Sequence, residues 1–203
     1  MTGRSGRGLL IAATATTLIC AAMYAVPQHW HRGDPTQLSL TAWDRAVPFW
    51  PITGVLYFGA FLFLLLTFIA LWPQRLQARR FLNACLLAQT VGMLCFLLWP
   101  TAYPRDLYPL PASTSPLGAA LVNWCRSNDQ AVNCLPSLHV STVVICVAFL
   151  RGTRWFMPGL LLGVPLALST LTFKQHYVVD VIAGLVLGLV SAGLFLRPSS
   201  RKV

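Results

Sequence analysis

Six apolar runs divide this chain, at 8–26, 51–72, 81–99, 136–150, 155–173 and 177–196. Each is near the ~20 residues that a helix needs to cross a bilayer. Hydrocarbon offers the backbone no partners, so a spanning segment must satisfy itself as a helix or in a closed barrel. The runs are too long for strands. They predict an all-α fold, a six-transmembrane-helix bundle, with residues 1–203 forming one integral membrane domain. The fourth run is short, which places its first turn near the interface. Trp50, Trp72, Trp99 and Trp155 stand at run ends, where an aromatic belt forms. The first run also has features of a signal peptide, with Arg4 and Arg7 ahead of it and small residues near Ala21 and Ala22. Its apolar length and the lack of a clear cleavage site favour a retained helix.

Hydrophobic residues make up 56% of the chain and charged residues 10%, whereas a soluble domain carries roughly 25% charged residues. The net charge of +10 does not point to nucleic acid, because the cations lie in short clusters between apolar runs. Arg4, Arg7, Arg75, Arg79, Arg80, Arg151, Arg154, Arg197, Arg201 and Lys202 fall on one side, and Arg32, Arg45, Arg105, Arg126 and Lys174 on the other. Ten against five places both termini in the cytoplasm. The expected setting is a multi-pass protein of the cell membrane, of the bacterial inner-membrane kind. Oligomeric state is not legible.

Two loops face the non-cytoplasmic side, 27–50 and 100–135, and the second carries a helical candidate at 117–124. Cys125 and Cys134 share that loop and could close a disulfide; the alternative is two thiols. Cys20, Cys85, Cys95 and Cys146 fall within apolar runs, as packing residues do. His29 and His31 read as solvated loop residues. No metal-ligand spacing appears, so no metal and no cofactor is expected.

The chemistry-bearing residues open two of the apolar runs. His139 follows Pro136 and Ser137, and His176 precedes Asp180 by four residues. A carboxylate inside an apolar run is expensive and suggests a functional site. The i, i+4 spacing puts it on the face of His176, where it can fix one ring nitrogen and leave the other to attack. The structural alternative is a buried pair kept for packing specificity. His139 sits at a helix start, where free N–H groups favour anions and an imidazole can act as general acid. Arg105 is suited to clamp a phosphate or to pair with Asp106. Lys174 is a second clamp candidate or an interfacial lysine. Ser137 either binds phosphate or caps its helix. Asp44 and Arg45 read as an interfacial pair.

At these residues the chain resembles the type 2 phosphatidic acid phosphatase superfamily of membrane lipid phosphatases. Leu138 in Pro136-Ser137-Leu138-His139, together with 44–51 and 100–105, is similar to the inositol-phosphorylceramide-synthase-like branch. The resemblance implies that His176 attacks phosphorus to form a phosphohistidine, with Asp180 orienting it. It implies that His139 protonates the departing oxygen, that Ser137 and Arg105 hold the non-bridging oxygens, and that no metal is needed. Leu98, Asp106 and Thr170 depart from the family pattern, and two of its clamp cations are absent; Lys174 is a candidate to replace one.

The expected function is a membrane-embedded phosphatase acting on a lipid phosphate or pyrophosphate. The alternatives are transfer of a phospho-head-group to a second lipid and a non-catalytic scaffold or lipid binder. An intramembrane serine protease is disfavoured, because Ser137 and His139 do not face each other at i, i+2.

Overall fold

Leu, Val, Phe and Ala fill the apolar runs, and the backbone there closes its own hydrogen bonds as helix. The computed structural model describes residues 3–30, 33–130 and 132–196. His31, Arg32, Arg197, Arg201 and Lys202 lie outside those residues. Among the described residues there are eight α-helices: α1 (Gly3–His29), α2 (Ala42–Ala46), α3 (Gly54–Leu71), α4 (Arg75–Leu98), α5 (Pro116–Asn128), α6 (Leu138–Leu150), α7 (Phe156–Thr172) and α8 (Val178–Phe195). All six apolar runs are helical, and α5 covers the helical candidate in the second loop. The fold is all-α apart from one minimal strand pair.

α1 and α4 run beyond their apolar limits into basic flanks, because a helix does not stop where apolarity stops. Arg75 opens α4 with its guanidinium 3.9 Å from the Trp72 ring centre, a favourable cation–π placement.

Four segments are long and apolar enough to cross a membrane, Gly6–His29, Pro51–Leu71, Arg75–Leu98 and Val178–Phe195. The chain is a membrane protein. α6 and α7 are apolar but have only 13 and 17 residues. By length alone, four of the six expected spans therefore qualify. At a rise of 1.5 Å per residue α6 is about 20 Å long, against a hydrocarbon thickness of about 30 Å.

The short α6 is the hub of the bundle and packs against α3, α4, α7 and α8. Ile145, Cys146 and Phe149 of α6 are fully buried, with Phe81 of α4 edge-on to Phe149 at 5.6 Å. α8 lies closest. A Cβ on Gly184 would stand 2.4 Å from the Ser137 carbonyl oxygen, and one on Gly188 would stand 2.8 Å from that of Ser141. The two backbones meet because neither glycine has a side chain. α1 is outermost and packs along α4.

The two loops at 27–50 and 100–135 are tied together. β1 (Thr36–Gln37) pairs in parallel with β2 (Thr101–Ala102), and Thr101 also bridges to Asn133. Ser115 caps α5 by accepting the Gly118 N–H, with Pro116 in the first turn. Leu117 and Trp124 of α5 remain exposed.

Candidate active site

α8 begins at the bundle end covered by the loops, and a residue far away in sequence fixes its first turn. Asp44 Oδ1 accepts the Val178 N–H at 2.7 Å, while Oδ2 accepts the Thr41 hydroxyl at 2.6 Å and the Thr41 N–H at 2.8 Å. Burial pushes the Asp44 carboxyl upward. The bonds from Thr41 and Val178 and the Lys174 charge outweigh it and hold the group below the ordinary aspartate range. Asp44 is thus a buried cap for α8, not half of an interfacial pair; Arg45 donates instead to the Leu40 carbonyl at 2.8 Å.

With α8 so placed, His176 and Asp180 meet as their spacing predicts. His176 Nδ1 lies 3.0 Å from the Cys134 carbonyl oxygen and 3.3 Å from Asp180 Oδ2. A carbonyl oxygen can only accept, so Nδ1 carries a proton, and in the neutral imidazole Nε2 keeps the lone pair. Asp180 is fully buried; its Oδ2 also accepts the Tyr177 N–H at 2.9 Å, and its Oδ1 has no partner.

His139 enters from α6. Its ring stacks on Tyr57 of α3 at 4.0 Å, meets the edge of Phe61 at 5.5 Å and lies 6.4 Å from the His176 ring. Its Nε2 is buried without a hydrogen bond. Ser137 caps α6: its hydroxyl accepts the Val140 N–H at 3.4 Å, and its own N–H donates to the Asp180 carbonyl at 3.0 Å. One residue therefore ties the two histidine motifs together.

Arg105 lines a cleft together with Tyr24, Tyr57, Asp129, Asn133, Gln175 and His176. Its Nη1 donates to the Asp129 carbonyl at 2.5 Å, and its Nη2 donates to Asp129 Oδ2 at 2.8 Å and to Gln175 Oε1. The partner is Asp129, not Asp106. Nε is buried without a partner. Orphaned buried polar atoms are rare. Here Arg105 Nε, Asp180 Oδ1 and His139 Nε2 are three such atoms.

Lys174, like Ser137, His139 and Asp180, is not among the residues that line the cleft. It adopts φ +55°, and its Nζ donates to the carbonyls of Val47 at 2.6 Å and Asp44 at 3.1 Å, 4.5 Å from the centre of the Tyr108 ring. Burial lowers its pKa, against the pull of Asp44. The ammonium staples the 44–47 segment to the α7–α8 turn. Cys125 and Cys134 are not joined as a disulfide. Their sulfurs donate to Gln175, Cys125 to Oε1 at 3.5 Å and Cys134 to the backbone carbonyl at 3.9 Å. Burial pushes the Cys125 thiol up to about 11 and raises Cys134 as well, which suppresses the thiolate that disulfide exchange needs. Among the described residues no cluster of His, Cys and acidic side chains could hold a metal ion.

Sequence reasoning missed Tyr24, Tyr57, Asp129 and Gln175. Gln175, beside His176, carried the only local hint.

A helical membrane protein with two histidines and a guanidinium gathered beneath the loops at one end of its bundle is an enzyme-like frame for an anion. The sequence pattern of the PAP2 superfamily matches residues 35–194, and the chain belongs to that superfamily. Its members are phosphatases and phosphotransferases. No curated protein and no solved structure matches the chain.

Proposed function

We propose that the protein is a membrane-embedded lipid phosphate or pyrophosphate phosphatase working through a phosphohistidine on His176. One observation carries the reading: His176 Nδ1 faces a carbonyl and a carboxylate oxygen, so the nucleophilic lone pair stands on Nε2. In the first half-reaction Nε2 attacks phosphorus, the bond to the lipid oxygen breaks, and His139 gives that oxygen a proton. In the second, a water attacks phosphorus, His139 takes its proton, and the P–N bond breaks to release phosphate. Splitting the displacement gives two easier steps. Arg105 Nε and the Ser137 hydroxyl are the donors proposed for the non-bridging oxygens.

The proposed setting is a six-span bundle in the cell membrane, with α6 and α7 completing the crossings. Both termini lie in the cytoplasm and the cleft opens on the other side, as the basic asymmetry favours. Transfer to a second lipid differs only in the acceptor, and the likeness of 136–139 to the inositol-phosphorylceramide-synthase-like branch supports testing for it alongside hydrolysis.

The test is a panel of lipid phosphates and pyrophosphates turned over by purified protein in detergent with EDTA present. Free phosphate, new phospholipid products and acid-labile phosphoprotein are all scored. Phosphate release with a trapped phosphohistidine is expected. New phospholipid without free phosphate would replace hydrolysis by transfer, and no turnover on any lipid would leave a lipid binder.

A further inference from the structure

We propose that α1 is part of the active site, with Tyr24 acting through Asp129 to position the guanidinium of Arg105. The superfamily pattern begins at residue 35 and leaves α1 out, and α1 is the outermost helix of the bundle. Its last turns nevertheless reach the cleft. The Tyr24 hydroxyl donates to Asp129 Oδ1 at 2.8 Å, and Gln28 Nε2 donates to the same oxygen at 3.1 Å. The contact is made from both sides: Asn133 Nδ2 donates to the Tyr24 carbonyl at 3.1 Å, and the Gln130 N–H to Gln28 Oε1 at 3.5 Å.

Asp129 stands between α1 and Arg105. One carboxylate oxygen takes Tyr24 and Gln28, the other takes Arg105 Nη2, and the Asp129 carbonyl takes Nη1. A guanidinium has five N–H donors. Asp129 and Gln175 use three of them, and Nε is among those left over. The seat therefore fixes the plane of the guanidinium and still leaves donors for an anion. Asp129 cannot swing aside as a mere competitor without releasing Tyr24, Gln28 and Arg105 together. With two clamp cations of the family pattern absent, the aim of the one that remains matters more.

This inference rests on reading Arg105 as a phosphate donor. The test uses full-length protein in detergent, inorganic phosphate as the binding probe and phosphatidic acid as the turnover substrate. Phosphate affinity is read from the rise in unfolding temperature with phosphate concentration. Tyr24→Phe keeps the ring and removes only the hydroxyl. It should weaken phosphate binding and raise KM by about 3- to 10-fold, the size of a hydrogen bond to a charged group felt at one remove. Asp129→Asn should cost more, and Asp129→Glu should recover part of the loss. In an Arg105→Lys background, where the fork is already gone, Tyr24→Phe should cost nothing further. Unchanged or tighter phosphate binding in Tyr24→Phe and Asp129→Asn, or a Tyr24→Phe loss that simply adds to Arg105→Lys, would overturn the proposal. Turnover without this coupling overturns the α1 proposal alone. Coupling without turnover overturns the phosphatase reading alone, and wild-type protein that binds no phosphate overturns both.

Discussion

The phenol ring of Tyr57 lies flat over the His139 imidazole, with ring centres 4.0 Å apart and planes 21° from parallel. Stacking on one face and the Phe61 edge at 5.5 Å leave the imidazole little freedom to turn. Among the described residues no hydrogen bond holds its Nε2. The aim of the proposed acid is thus set by an aromatic on another helix.

Tyr57→Phe should therefore keep most activity and Tyr57→Ala should lose it, by about tenfold or more, the scale of losing general-acid help in part. The loss should be larger for a lipid phosphate, whose leaving oxygen needs a proton, than for an aryl phosphate, whose leaving group does not. Comparing kcat/KM on the two substrates checks this. An equal loss on both would assign the ring to packing alone.

His176→Ala should remove turnover and phosphoprotein by several orders of magnitude, as loss of a nucleophile does. Asp180→Asn should be milder than the ~10⁴-fold seen when a triad aspartate alone sets the tautomer, because the Cys134 carbonyl also holds Nδ1 at 3.0 Å. A loss near 10²-fold is expected. Single-turnover rates of phosphoprotein formation separate the two variants.

Gly184→Ala drives a methyl into the Ser137 carbonyl oxygen, whereas Gly193→Ala meets nothing within 4 Å among the described residues. The first should cost about 1–3 kcal/mol as overpacking and lower activity by moving α8 off α6. The second should be neutral or stabilise by about 0.5–1 kcal/mol through helix propensity. Thermal unfolding in detergent reads both, and equal effects would contradict the close crossing.

Asp44→Asn removes a charge that holds the α8 amide and should destabilise by about 1–3 kcal/mol. The folded-state pKa of Asp44 is depressed, so its contribution is complete above the ordinary value of about 3.9. It is lost as pH falls below that value and through the lower folded one. Wild-type unfolding temperature should drop over that acid range more than that of Asp44→Asn. Parallel pH profiles would show that the carboxylate contributes nothing through its charge.

The six apolar runs and the two histidine motifs were legible because each signal is local. A run of hydrophobic residues states its own helix, and i, i+4 spacing states its own contact. The rest of the site depends on pairings across the chain. Asp129 reads as an ordinary loop acid; its partners Tyr24, Gln28 and Arg105 lie 105, 101 and 24 residues away. Asp44 looked like half of a pair with its neighbour Arg45, yet its partner Val178 is 134 residues on. Lys174 shows the same dependence. Its place between α7 and α8 suggested a cation facing the site, but its positive φ and the carbonyls it meets are set by tertiary structure. Tyr57 sits in a run so apolar that its hydroxyl gave no reason to separate it from its neighbours.

The brevity of α6 has a consequence for how such an enzyme meets its substrate. On the proposed six-span reading, a helix about 10 Å shorter than the hydrocarbon layer would set His139, at its first turn, below the surface of the leaflet. A phospholipid substrate would then not need to be lifted into water for its phosphate to reach the cleft; it would arrive by sideways diffusion and sink only slightly. The quantity that governs rate is then the mole fraction of substrate in the surface, not its amount per volume. Diluting the lipid with neutral detergent at fixed total concentration should slow the protein as though substrate had been withdrawn.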